Sequence, residues 1–389
     1  MICKDATANR TEGGNEYMRE AVIVAATRTA VGRRKGVLAE VRADDLAADV
    51  LEDVVKRAGI EKALVEDVIF GCVTQTLEQG GNIARIATLM AGFPIEVPGV
   101  TIDRQCGSSL QAVHFAAQAI LAGDMDIVIA GGIESMSRVP MGSNMEGTRR
   151  SERIKKYELI NHGLSAERIA EQWELTEQEI NEYSALSHQR AINAIEAGYF
   201  KDEIVAVGGV DTDEGPRPGT SVEVLQGLKK VFKEDGVISA GTSSQMSDGA
   251  SAVLIMSSEK AQALGIKPLA KIIARTVVGS DPTLMLTGPI EATKRVLEKA
   301  NLTIADMDTY EVNEAFAPVP IVWAKELGAD LDKLNPDGGA IALGHPLGAT
   351  GTKLLTSMLY RMERNNQRYG LLAICEGMGM ANATIIERL

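Results

Sequence analysis

Cysteine is scarce. Cys3, Cys72, Cys106 and Cys375 are the only four in 389 residues, and no two form a CxxC pair. That excludes a disulfide-stapled scaffold, a zinc ribbon and a thioredoxin-type redox pair, and predicts free thiols in a reducing compartment. Aromatic residues make up 4 % of the chain, too few for a base-stacking nucleic-acid surface. Positive charge is in deficit: the formal net charge is −13, which argues against nucleic acid or an anionic membrane as partner. No apolar run reaches the roughly 18 residues a membrane span needs. The first twenty residues have no apolar stretch of the secretory kind, so a cytoplasmic location is expected. Residues 1–17 read as a disordered extension, with Met18 as a candidate natural start.

What is present is glycine, 38 residues of it, in a composition that is 45 % hydrophobic and 24 % charged, ordinary for a globular protein of two to three domains. AVIVAAT (21–27), DVIFGCV (67–73), GVTID (99–103) and DIVIAGG (126–132) read as continuous apolar strands. Between them lie helical spacings at 44–58, 80–91 and from Cys106 to Gly123. Such strands predict a sheet buried on both faces. The order repeats from residue 267: LAKIIARTVVG (269–279), a helix at 289–300, TYEVNEAF (309–316), helices at 319–327 and 352–363, then GLLAICEG (370–377) and ATIIERL (383–389). The reading is two similar halves, 18–135 with 247–266 and then 267–389, with 136–246 inserted as a loop domain over the first half.

Four segments carry possible chemistry. Cys106 in TIDRQCGSSLQAV stands where a strand turns into a helix, where the helix dipole is expected to pull its pKa below about 8.5. The small polar residues after it are unneeded by a packed core thiol, the competing reading. His345 in GGAIALGHPLGATG is the only one of four histidines in a Gly-rich turn ahead of a helix. That loop is not GxGxxG, so a dinucleotide site is a weak alternative. Cys375 ends an apolar strand in ICEGMGMAN, beside Gly377 and Gly379, as an acid or base with backbone N–H groups at hand, or as a small packed hydrophobe. Asn313 in EVNEAFAPV can hold a water or an oxyanion, or cap a turn.

Together these segments resemble the thiolase family. The resemblance runs from about residue 20 to 389 and rests on QCGSS, GGIESMS (131–137), SAGTSSQMSDGA (239–250), VNEAFA (312–317), GGAIALGHPLGATG (338–351) and CEGMG (375–379). It implies a five-layer αβαβα fold and reversible acyl transfer between coenzyme A and acetyl-CoA. By the same match Cys106 resembles the acyl-carrying nucleophile, His345 its activating base and Cys375 the acid/base at the α-carbon. Asn313 resembles the holder of a water in one oxyanion hole, and the N–H groups of Cys106 and Gly377 form the other. Arg217 is expected at the adenine end of CoA, and Phe232 and Ser244 along its pantetheine. Met285, Ala315 and Phe316 are expected in the acyl pocket. CoA and its thioesters are substrates, and no metal or other cofactor is implied. The family forms dimers, often paired into tetramers, and 137–160 is the place to look for the second contact.

Three departures bear on substrate. Gly-Ser-Ser follows Cys106 where acetoacetyl-forming members often have Gly-Ser-Gly; CEGMG replaces the common CIGGG; and Asn161-His162 stands where such members commonly show His-Met. They lean towards the degradative branch, with a biosynthetic acetoacetyl-CoA thiolase as the alternative. A ketosynthase or hydroxymethylglutaryl-CoA synthase would leave Cys375 without a role, as would a Cys–His hydrolase. A silent lipid-carrier scaffold would not need Cys106, His345 and Cys375 together.

Overall fold

The structure, a computed structural model, describes residues 19–147 and 150–389. The extension predicted for 1–17 lies outside the described residues. The first half runs β1 (Ala21–Thr29), β2 (Gly32–Arg33), α1 (Ala43–Ala58), β3 (Asp67–Gly71), α2 (Ile83–Met90), β4 (Gly99–Ile102), α3 (Ser108–Ala122) and β5 (Ile127–Ser135). There follow α4 (His162–Gln172), α5 (Glu177–Glu196), β6 (Ile204–Val205) and α6 (Val222–Gln226), then β7 (Ser247–Ser257) and α7 (Ser258–Ala263). The second half is β8 (Ala270–Gly279), α8 (Gly288–Ala300), β9 (Thr309–Val312), α9 (Pro318–Leu327), α10 (Ala340–Leu343), α11 (Thr350–Arg364), β10 (Tyr369–Glu376) and β11 (Met380–Arg388). The helix expected over 80–91 starts only at Ile83, because Asn82 takes a left-handed φ of 65° there and caps the helix with its own side chain.

One sheet path connects the molecule in the order β4-β3-β5-β7-β1-β8-β11-β10-β9. The first five strands and the last four repeat one pattern: β3 pairs parallel with β5 as β9 does with β10, and β5 pairs antiparallel with β7 as β10 does with β11. The halves meet where Val22 faces Lys271 and Ile23 faces Ala270. The counterpart of β4 in the second half is reduced to one parallel bridge, Tyr310 to Leu334.

Strand alternation divides the core into layers. Val22, Phe70, Ile129 and Leu254 turn outward onto Leu46, Val50 and Val54 of α1 and Ile83 of α2. Their neighbours Ile23, Ile69, Val128 and Ile255 turn inward onto α3 (Leu110, Val113) and α11 (Leu355, Met358), which also receive Ile272, Leu372 and Ile374 of the second half. Beyond these strands lie α8 and α9, packed through Val296, Val322 and Trp323. The result is helix, sheet, helix pair, sheet, helix.

The inserted segment differs from expectation in where it packs. Ala166, Ile169, Ile180 and Tyr183 of α4 and α5 join the core of the second half, not the first. The outer face of the first half is already covered by α1 and α2, so the apolar stripe of α4 and α5 is buried against α9 instead. Two stretches return to the first half: the start of the insert, where Arg138 pairs with Glu78, and the stretch around β6, held by the buried pairs of Arg28 with Glu203 and Asp213.

The halves interlock through backbone. A Cβ at Gly132 of β5 would lie 2.0 Å from the Gly348 carbonyl oxygen, and one at Gly348 would lie 2.7 Å from the Gly71 carbonyl. Neither neighbour is a flexible side chain that can move aside. Gly132→Ala is therefore expected to lower stability by about 3 kcal/mol, measured by urea denaturation; an unchanged midpoint would show that the joint tolerates separation.

Candidate active site

Cys106 is presented by a strained turn between β4 and α3. Gln105 just before it has φ 48°, a conformation costly for a residue with a side chain. Ser108 holds the turn: its hydroxyl donates to the Gln105 carbonyl at 2.6 Å and accepts from the Arg104 amide at 2.9 Å. The thiol is part-buried against Val73, Met136 and Leu347, the last from the second half. The expected drop in its pKa does not occur. Burial, then the carboxyl of Glu376, pushes the Cys106 thiol up to about 12. Desolvation and a nearby carboxyl outweigh the partial charge of the helix end, so Cys106 rests as a neutral thiol.

His345 sits between α10 and α11. Its amide donates to the Gln245 carbonyl and the Ser247 hydroxyl, both at 3.1 Å. The loop after it is pinned from the first half: buried Glu134 of β5 accepts from the Gly348 amide at 2.9 Å, and from the amides of Val73 and Thr74. Nδ1 lies 2.6 Å from the Thr350 hydroxyl, which itself donates to the Pro346 carbonyl at 2.8 Å. With its one proton so engaged, Thr350 accepts, Nδ1 carries the ring proton, and Nε2 keeps a free lone pair. Burial, Lys353 and His162 press the imidazole down to about 3. It is a neutral ring with its basic nitrogen facing the Asn313 amide, 3.4 Å away.

Cys375 ends β10, buried; burial and then Cys106 raise its thiol, so the two sulfurs share one electrostatic neighbourhood. The Asn313 amide oxygen is buried without a protein partner, an acceptor that suits a donating water. The loop carrying Asn313 is fixed by Glu314, which accepts from Tyr183, Ser187, Asn335 and the Ile341 amide. Gly377 faces Gln105 and His162: a methyl group on it would lie 3.1 Å from Gln105 Oε1 and 3.2 Å from His162 Nε2. Cys106, His345, Cys375, Asn313 and Gly377 thus converge from four separate segments.

The residues predicted for the substrate divide. The Ser244 amide donates to the Ala315 carbonyl at 3.0 Å, and Ser243 bridges to Phe316. Phe232 meets Phe316 edge-on at 5.7 Å and covers Gly163, next to His162. Met285 is buried in the core that holds Ala315 and Phe316. Arg217 stands apart at the surface, its amide bonded to His188 Nδ1 at 3.1 Å. Sequence reasoning gave no role to Glu134 or Thr350, and marked His162 only as a departure bearing on substrate. A carboxylate inside the apolar strand IVIAGGIES was the available signal for Glu134; nothing local marked Thr350.

Comparison with known proteins agrees with this geometry. Residues 21–259 match the thiolase N-terminal domain and residues 266–388 the thiolase C-terminal domain. The chain belongs to the thiolase family. It is 48 % identical over 393 residues to steroid 3-ketoacyl-CoA thiolase FadA6 of Mycobacterium tuberculosis, covering 97 % of this chain and 96 % of that one. It is 43 % identical over 390 residues to a 3-ketoacyl-CoA thiolase of Bacillus subtilis, covering 95 % and 100 %. The solved acetyl-CoA acetyltransferase of Bacillus anthracis superposes with a TM-score of 0.89 at 38 % identity, over 96 % of this chain and 99 % of that one. The fold is the thiolase fold, and the chain is an acyltransferase.

In this thiolase His345 is expected to stay neutral through the physiological range. Its folded pKa lies below the unfolded value near 6.5, so the unfolded chain takes up a proton first as pH falls, and this site's contribution to stability is lost below about pH 6.5. Nitrogen chemical shifts of the His345 ring should hold their Nδ1–H values from pH 8 to pH 5; a midpoint near 6.5 would contradict the assignment.

Proposed function

We propose that the enzyme catalyses reversible thiolysis of 3-ketoacyl-CoA by CoA, giving acetyl-CoA and a shortened acyl-CoA, and works in the degradative direction. The observation that carries this is a neutral, tautomer-fixed base with two buried neutral thiols around one unpartnered amide oxygen. As Cys106 attacks the 3-keto carbon, its proton passes to His345 Nε2. The bond between the α-carbon and the keto carbon then breaks. Cys375 gives its proton to the α-carbon of the departing enolate, leaving acetyl-CoA and an acyl group on Cys106. A CoA thiol next attacks the acyl group and yields its proton to the Cys375 thiolate, while the released Cys106 sulfur regains its own from His345. Water held by Asn313, with His345 beside it, stabilises one oxyanion, and the amides of Cys106 and Gly377 the other. A raised thiol suits Cys375, since the proton it exchanges belongs to a weakly acidic carbon.

Along the substrate, Arg217 meets the adenine end of CoA, Phe232 and Ser244 the pantetheine, and Met285, Ala315 and Phe316 the acyl side. The 3-ketoacyl names of two relatives support the degradative direction, and the steroid name of one supports bulky acyl groups. The acetyltransferase name of the solved relative favours the acetoacetyl alternative. The reaction runs between CoA thioesters with no further cofactor. Exposed Leu89, Met90, Ile95 and Val100 around edge strand β4 support burial against a second copy, as a homodimer or a pair of dimers with 137–160 as the second contact. Among the described residues no helix is long and apolar enough to cross a membrane, and we place the enzyme in the cytoplasm.

Cys106→Ala should abolish acyl-enzyme formation from acetyl-CoA, while Cys375→Ala should acylate, seen as added mass, yet fail to form a carbon–carbon bond; turnover by Cys106→Ala would overturn the scheme. Arg217→Ala should raise KM for CoA about tenfold with kcat nearly unchanged. Thiolysis assayed from acetoacetyl-CoA to long-chain and polycyclic 3-ketoacyl-CoAs separates the branches: cleavage of acetoacetyl-CoA alone would overturn the degradative reading.

A further inference from the structure

Glu376 directly follows Cys375 in β10, and strand alternation turns its side chain the opposite way, towards α3. It is fully buried, and neither carboxyl oxygen has a partner among the described residues. Natural proteins rarely leave a buried carboxyl so bare. Its place is close-fitting: a Cβ at Gly107 would lie 2.0 Å from Glu376 Oε1, so the carboxyl packs directly against the α-carbon after Cys106. Asn382 of β11 closes the other side, donating to the Gly107 carbonyl at 2.9 Å while its own amide oxygen stays unpartnered. The carboxyl therefore stands at the N-terminal end of a 15-residue helix, directly behind Cys106.

We propose that Glu376 is a positioning residue for the nucleophile, whose own proton governs how readily Cys106 gives up its proton. A neutral Glu376 leaves the positive end of the α3 dipole to the Cys106 sulfur; an ionised one occupies that end and repels the developing thiolate. The charges around it fit this role. Arg104 and Asp103 precede α3, and Arg104 forms no ion pair with Glu376 within 4.0 Å, its Nε being buried and unpartnered. Cys106 and Cys375 are the nearby thiols. His114 of α3, bonded to Thr384 of β11, is kept neutral by burial, with Arg275 and Lys299 beyond it. Glu134 of β5 faces Cys106. Burial holds Glu376 up at about 8, so it carries its proton at neutral pH and loses it just above.

This inference rests on Cys106 being the nucleophile, and the test separates the two. The rate of Cys106 alkylation by iodoacetamide, read on its peptide by mass spectrometry, is followed against pH in the full-length enzyme and in Glu376→Gln and Glu376→Leu. The wild-type profile should show two steps, the lower near pH 8. Both variants should show one step, displaced downward by about one pH unit, with alkylation about tenfold faster at pH 10 and nearly unchanged at pH 7. Melting temperatures at pH 8 no lower than wild type would show that they fold, since the native state's hold on the Glu376 proton adds stability only below that pH. A single-step wild-type profile, or variants with the wild-type midpoint, would overturn the role of Glu376 even if Cys106 still takes an acetyl group from acetyl-CoA. Failure of the wild type to acylate Cys106 would overturn the thiolase reading of the site.

Discussion

The whole site depends on one close approach, the Gly348 carbonyl laid against the α-carbon of Gly132. Cys106 belongs to the first half and His345 to the second, and the proposed proton transfer between them cannot cross a gap wider than a hydrogen bond. Side chains between the halves would hold them apart by the thickness of a methyl group or more. Glycine on both sides removes that spacer. Glu134 then completes the joint by gathering the amides of Val73 and Thr74 from one half and of Gly348 from the other onto a single carboxylate. Hydrogen bonds to a charged acceptor are the stronger kind, and here they are buried. The catalytic spacing is thus fixed by backbone and one ion rather than by mobile side chains.

That rigidity has an electrostatic cost, visible in the titrating groups. Cys106 and Cys375 are held as thiols and His345 as a neutral imidazole, all by burial first. A site built this way does not store a thiolate. Under the proposed scheme it relies on proton transfer between neighbours at the moment of attack, where donors already in place lower the barrier without reorganising. Thr350 matters for the same reason, because it holds the ring proton on Nδ1 and leaves Nε2 an acceptor on the side of Asn313.

The inserted segment reaches the site from one side. Packed on α9 by α4 and α5, it carries Phe232 onto Gly163 and His162 to Gly377, while Glu314 ties α5 to the Asn313 loop. In the proposed function, substrate contacts and oxyanion geometry are thereby coupled through one buried carboxyl.

By itself the sequence determined the class of fold, the internal repeat and the segments that carry chemistry. Continuous apolar strands, 3.6-residue spacings and Gly-rich turns are local patterns, and local sterics decide them. Cys106, His345, Cys375 and Asn313 were legible because each sits in such a turn at an element's end. The tertiary structure alone decided what long-range packing controls. It put the insert on the second half, because the first half's face was already covered. It raised the Cys106 thiol where a lone helix end would have lowered it, first by burying it and then by laying Glu376, some 270 residues distant in the chain, beneath Gly107. It gave Thr350 and Glu134 their roles as supports. Desolvation and charge act through space, and no spacing along a chain records which groups will share the same buried volume.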